Sequence, residues 1–327
     1  MIDLFSLLKE TGAYKTVLGD KIAGRLSHAY LILTQDGEML EEYLKIIAKL
    51  IVCEDSQPCC KCRFCTLVDQ KAHSDVYFYP MQGDSVLTAD VNHLISESYV
   101  KPIESDKKVF VINNAQTMNG ASQNKLLKTL EEPPKGVHII IGATTEFSLL
   151  PTVKSRVKKL EIPAFNSQKI FDALKGELLD EERLKDAVAC GDGTVGKALS
   201  LYSDENLSDA IKLAEDLLIN MKSSANVFDY SLKVTSLKGG IEQFLSVTEL
   251  FLRDLLVISQ GKGQLTFNKK SKNIYASAVN FSTGAILNAL EKITEANERI
   301  KFNANPTMLV EWLLFQILEG KYKWQKL

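Results

Sequence analysis

Two runs rich in β-branched and aromatic residues, Lys107–Ile112 and Val137–Ala143, stand either side of one helix-length segment. That segment opens at Asn119, whose side chain suits a helix start, and carries Leu126, Leu127 and Leu130 on one face. It stops at Pro133-Pro134, whose rings cannot continue a helix. A helix joining two strands is the crossover that parallel strands require, so the pattern predicts a parallel sheet covered by helices. Further strands are expected at His28–Leu33 and Val76–Tyr79, with a helix over Asp90–Val100. Past Pro163 the strand signals fade. Ser167–Tyr202 reads as a small helical module interrupted by Gly191, Gly193 and Gly196, and apolar residues recur at helical spacing over 241–259 and around Trp312. A chain of 327 residues is long enough for two or three domains. The expected partition is an α/β domain over 1–165, a helical lid over 166–206 and an all-helical C-terminal domain over 207–327.

Charge narrows the function. Lys and Arg number 39 against 41 Asp and Glu, a formal net of -2, which argues against a surface built as a whole to hold nucleic acid. No apolar run approaches the ~20 residues of a membrane-spanning helix. Met1–Glu10 has mixed polarity and does not read as a secretory signal, so the thiols are expected to meet a reducing cytoplasm. Five of the six cysteines lie between Cys53 and Cys65. Cys59, Cys62 and Cys65 follow C-x-x-C-x-x-C, and with Cys53 they supply four thiolates for one tetrahedral ion, zinc first among candidates. Four thiolates leave no position for water, so the site reads as structural. Cys60 is a rival for the fourth place. The iron-sulfur alternative would continue to a fourth cysteine and a proline, whereas this chain continues Thr66-Leu67-Val68-Asp69. Cys190 reads as packing. Of the histidines, His28 and His138 open strands, and His73 and His93 lie in polar stretches; none suggests a catalytic pairing.

The turn after the first strand is where a phosphate-binding loop belongs. The template G-x-x-x-x-G-K-[ST] would place its fixed residues at 34, 39, 40 and 41, and the chain has Thr34, Met39, Leu40 and Glu41, with Gly37 the one sign of a tight turn. Asp36, Glu38, Glu41 and Glu42 put carboxylates where a triphosphate would sit. The strand at 107–112 ends in Asn113-Asn114-Ala115-Gln116, amides that supply neither a charge for magnesium nor a general base. From spacing alone, a fold that never held nucleotide remains open.

Several segments occur in the same order in a known family. His28-Ala29-Tyr30-Leu31, the cysteine cluster, Asn124-Lys125-Leu126-Leu127-Lys128-Thr129-Leu130-Glu131-Glu132-Pro133-Pro134 and Ser155-Arg156 resemble the clamp-loader subunits of bacterial DNA polymerase III. Arg253-Asp254-Leu255-Leu256 and Asn303-Ala304-Asn305-Pro306, followed by Leu309 and Trp312, are similar to that family's C-terminal collar. An intact proline-terminated helix beside a degraded phosphate loop resembles the non-hydrolysing stator type of subunit rather than the gamma/tau motor type.

The resemblance implies an AAA+ (P-loop NTPase-like) domain carrying a zinc module at about 53–65, then a lid and a collar. It implies a hetero-pentamer with gamma/tau and delta subunits that opens a sliding clamp and closes it around primed DNA. It implies no ATP in the chain's own site. Arg156 is the implied trans-acting arginine finger for a neighbour's ATP, with Ser155 supporting the turn; Val157 stands where the family has Cys. Gly196 occupies the slot of a nucleotide-sensing lid arginine, with Lys197 beside it. Thr144 and Thr145, where a polar sensor would lie, read as turn residues. The alternative is a stand-alone zinc-containing nucleic-acid-binding protein using Lys107, Lys108, Lys125, Lys128 and Lys135; an independent ATPase is the weakest reading.

Overall fold

The computed structural model describes residues 3–263, 266, 270–277, 281–301 and 304–323; Asn303 and part of the 261–272 loop lie outside them. The chain forms two compact units, one of residues 1–177 with 194–196, the other of 178–193 with 197–327.

The first unit is built on five strands, β1 (Ala29–Thr34), β2 (Val76–Tyr79), β3 (Lys108–Ile112), β4 (Val137–Ala143) and β5 (Lys158–Ile162), in the order β2-β3-β4-β1-β5 with every pairing parallel. It carries helices α1 (Leu4–Leu8), α2 (Gly12–Ile22), α3 (Leu40–Val52), α4 (Arg63–Asp69), α5 (Thr88–Ser98), α6 (Gly120–Glu131), α7 (Pro151–Lys154) and α8 (Ser167–Leu174). β3 and β4 are buried along their whole length, as strands covered on both faces must be, and so read as unbroken apolar runs. Gly142 in β4 lets α3 lie close: a Cβ there would stand 2.5 Å from a methyl of Leu44. Asn119 caps α6 as expected, its side chain accepting the Ser122 N–H at 2.8 Å. β5 is a strand that the sequence did not suggest. Its Lys158 and Lys159 face outward on a sheet edge, where charge discourages further pairing.

His73 departs from its expected polar setting. It is buried against the Phe64 ring, its Nδ1 accepting the Asp75 N–H at 3.0 Å, and burial lowers its pKa.

The second unit is helical, with α9 (Glu181–Cys190), α10 (Val195–Ser203), α11 (Leu207–Asn220), α12 (Ser224–Thr235), α13 (Gly240–Ser259), α14 (Lys270–Ser277), α15 (Thr283–Lys301) and α16 (Pro306–Lys323). The first two residues of α10 group with the first unit. Phe244 and Phe251 of α13 are core, as is Cys190, whereas Phe315 is exposed and packs edge-on against Phe228. Trp312 is half-buried beneath the Arg299 guanidinium, 4.1 Å from its ring centre.

Lys321 is buried in this core. Its ammonium donates to the carbonyls of Leu218 and Met221 at the end of α11, 3.2 Å each, and lies 4.2 Å from the centre of the Phe281 ring. Burial, helped by the Lys222 charge, lowers its pKa to about 8. Between that value and the ordinary ~10.4 the unfolded chain binds the extra proton, so this group makes stability rise with pH across that window. Urea unfolding at pH 8 and pH 10 is expected to show the rise in the wild type and a smaller one in Lys321→Met.

Candidate functional site

Ligands of parallel α/β sheets sit at the carboxyl ends of the strands. Here that end of β1 is Thr34, followed by a turn into α3. Thr34 Oγ1 accepts the Asp36 N–H at 3.2 Å. Leu40, where the template wants lysine, is completely buried, and Glu41 is ion-paired with Lys45 at 3.2 Å and Lys71 at 2.8 Å. Met39 begins α3 without a side-chain cap of its own, and Gly37 packs its backbone against Thr144, whose methyl would be 3.1 Å from an added Cβ. At the template's lysine and hydroxyl positions stand Leu40 and Glu41, which offer neither a cation nor a hydroxyl.

Asp36 fills the turn instead. It is 4% exposed, and its carboxylate accepts from Met39 N–H at 3.3 Å, Tyr43 Oη at 2.9 Å, Val195 N–H at 2.7 Å and Gly196 N–H at 3.2 Å. Burial, then the neighbouring Asp36 charge, raises the Tyr43 pKa, so Tyr43 is a donor throughout the ordinary pH range. A Cβ on Gly196 would lie 2.4 Å from Glu38 Cβ and 2.7 Å from Asp36 Oδ1, so no arginine fits there. Lys197 pairs with Asp192 at 2.6 Å.

At the end of β3 the amides knit the neighbouring turns together. Asn114 adopts φ +55°, a conformation Asn tolerates, and its Oδ1 accepts from Gln116 Nε2 at 3.2 Å; Gln116 Oε1 in turn accepts the Thr144 N–H at 3.3 Å. Thr145 Oγ1 accepts the Phe147 N–H, a side-chain turn that fits its expected role.

Arg156 belongs to the opposite end of the sheet. It follows α7 and precedes β5, and its carbonyl accepts from His28 Nε2, just before β1, at 3.1 Å. Its guanidinium, partly exposed, donates to the Thr152 carbonyl at 2.9 Å, to Ser155 Oγ at 3.2 Å and to Glu131 at 2.5 Å. Ser155 Oγ itself donates to the Thr152 carbonyl at 3.0 Å. Glu131 is the last residue of α6 before the proline pair, so the proline-terminated helix and the Ser-Arg pair meet in one shallow depression with His28 and Leu130.

The four expected cysteines converge. Sγ atoms of Cys53, Cys59, Cys62 and Cys65 all lie within 4.8 Å of one another. Cys53 Sγ is 3.8 Å from Cys59 Sγ and 3.9 Å from Cys62 Sγ. A tetrahedron with zinc-sulfur bonds of ~2.3 Å has edges of ~3.8 Å, close to the spacings of Cys53 from Cys59 and Cys62, so the set has about the size a metal ion needs. Backbone N–H groups of Lys61 and Cys62 lower the Cys59 pKa to about 7, which favours the thiolate a metal needs. Cys60, the rival fourth ligand, is exposed at φ +55° and is not in the group.

Residues 11–166, which hold both the crevice and the Ser-Arg turn, match the family model described as DNA polymerase III, delta subunit. The delta prime subunit of Bacillus subtilis DNA polymerase III is 28% identical over 305 residues, 90% of this chain and 92% of that one. The chain is thus similar to DNA polymerase III clamp-loader subunits over most of its length. The gamma subunit of Buchnera aphidicola from Acyrthosiphon pisum is also 28% identical, over 91% of this chain and 90% of its own. Among solved structures, a gamma-subunit-related protein of Thermotoga maritima covers 97% of this chain and 98% of its own at 18% identity, with a TM-score of 0.42, too loose a likeness to bear weight.

Of the lysines of the alternative reading, Lys125, Lys128 and Lys135 are exposed. Lys108 is buried, paired with Glu97 at 3.0 Å and lying over the Tyr77 ring; Lys107 pairs with Asp106 and Lys125 donates to Asn92. Among the described residues no helix is long and apolar enough to cross a membrane. Sequence reasoning missed the pairing of Asp36 with Val195 and Gly196, which lie 159 and 160 residues away, and the Glu131 partner of Arg156.

Metal analysis of the purified chain is expected to find one ion per chain. Cys62→Ser should lose it, whereas Cys60→Ser should keep it.

Proposed function

We propose that this chain is the delta prime-type stator of a clamp loader, a subunit that hydrolyses no ATP itself and lends Arg156 to the ATP site of an adjacent gamma/tau subunit. One observation carries the reading: Arg156 and the chain's own crevice lie at opposite ends of β1. The strand has six residues, which at ~3.3 Å each separate the two by ~20 Å. A guanidinium at the amino end of the sheet cannot serve a nucleotide at the carboxyl end of the same sheet, which supports a phosphate supplied by another subunit.

The chemistry suits that division. Arg keeps its charge and forks onto phosphate oxygens where negative charge accumulates during phosphoryl transfer. The fixed water-positioning and metal-holding carboxylates of an ATPase are replaced by Asn113 and Asn114, and the template lysine by buried Leu40, which supports a chain without turnover of its own. Glu131 holds the guanidinium through an exposed pair of low strength, so it can release Arg156 when a neighbour's phosphate arrives. Ser155 holds the turn.

We assign the cysteine cluster to structural zinc, held by Cys53, Cys59, Cys62 and Cys65. Zinc would tie the end of α3 to the start of α4 and supply no reaction chemistry. The partition into a zinc-bearing domain over 1–165, a lid over 166–206 and a collar over 207–327 is part of the same proposal. So are assembly with gamma/tau and delta, and action with the sliding clamp on primed DNA at the cytoplasmic replication fork. The names of the Bacillus and Buchnera relatives support this reading.

In a reconstituted loader, Arg156→Ala is expected to leave the melting of the isolated chain unchanged and to slow turnover at the neighbouring site by roughly 10²-fold, the usual cost of one lost transition-state donor. Single-turnover ATP hydrolysis would measure it, and unchanged turnover would remove the role.

A further inference from the structure

We propose that the turn after β1 is an anion cradle whose resident anion is the chain's own Asp36 carboxylate. The proposal concerns the 36–43 and 194–196 segments alone and stands whether or not Arg156 acts on a neighbour.

The N–H groups at a helix start have no partner within the helix, and the peptide dipoles leave that end positive. Two such starts meet here. α3 brings the Met39 N–H and α10 brings those of Val195 and Gly196; both helices exceed two turns. All three N–H groups point at one carboxylate, and Tyr43 Oη adds a fourth donor from the side. Converging backbone N–H groups of this kind hold phosphate in nucleotide sites. The occupant here is covalently part of the turn.

Three features show that the site is fitted to that occupant. Asp36 is 4% exposed and its two oxygens share four donors. The strand end orients it, since Thr34 Oγ1 accepts its own N–H. Gly196 lacks the Cβ that would stand 2.7 Å from Asp36 Oδ1 and 2.4 Å from Glu38 Cβ, so the α10 backbone reaches the carboxylate only because this position is glycine.

A phosphate entering the cradle would have to displace a buried carboxylate that already uses every donor. The crevice is therefore closed to nucleotide by occupation as well as by the loss of the template residues, and the 194–196 segment is held without any ligand from solution.

The test is chemical rescue in the full-length chain. Asp36→Ala removes the carboxylate and leaves a space for formate, which carries the same group. The variant is expected to melt lower than the wild type and to recover stability with added sodium formate, beyond any effect of equal sodium chloride; the wild type should gain nothing from formate. If Asp36→Ala does not fold, the isosteric Asp36→Asn is read by hydrogen exchange. The Val195 and Gly196 amides are expected to exchange about tenfold faster or more, the equivalent of one lost charge-assisted hydrogen bond. Gly196→Ala should likewise speed exchange at Val195 while Asp36 is intact. Wild-type protection of these amides in Asp36→Asn, or a formate effect equal in wild type and Asp36→Ala, would overturn the assignment.

Discussion

The hydrogen-bonding of β1 on both its edges is the constraint on which the rest depends. β4 pairs with one side and β5 with the other, so Leu31 stands between Ile141 and Lys159 and is completely buried. Because the pairings are parallel, the strand gives the sheet two chemically different ends. Its carboxyl end feeds the turn of Asp36, and its amino end lies beside the carbonyl of Arg156 through His28. Neither end could be moved without breaking the register that fixes the other.

The two ends carry opposite charge and opposite accessibility. Asp36 is buried and satisfied by four donors, which is what a carboxylate away from water requires. Arg156 is partly exposed and held by one carboxylate, a carbonyl and the Ser155 hydroxyl, contacts that water can replace. One is permanent and the other exchangeable. The cysteine group brings Cys53, just after α3, close to Cys62 and Cys65 at the start of α4.

Much of this was legible in the sequence, for identifiable reasons. β3, α6 and β4 announce themselves because a strand covered on both faces needs an unbroken apolar run and a helix needs a cap and a stop; Asn119 and Pro133-Pro134 supply these. β5 did not, because Lys-Lys-Leu-Glu-Ile on a sheet edge has the composition of a surface loop. The cysteine spacing announced a cluster, but only the backbone turn at Cys60 removes it from the group. The buried setting of Lys108 was hidden because its partner, Glu97, lies on another element. The carboxylate at 36 reads in sequence as one that repels an anion. Its role as the anion itself depends on two N–H groups that carry no side-chain signature.

A ligand that diffuses in fills its site only in proportion to how much of it is dissolved. The Asp36 carboxylate is tethered by the chain itself, three residues from the Met39 N–H, so its effective concentration there is in the millimolar range or above at every moment. Swings in the adenylate pool, which would load and empty a nucleotide pocket, leave this contact unchanged.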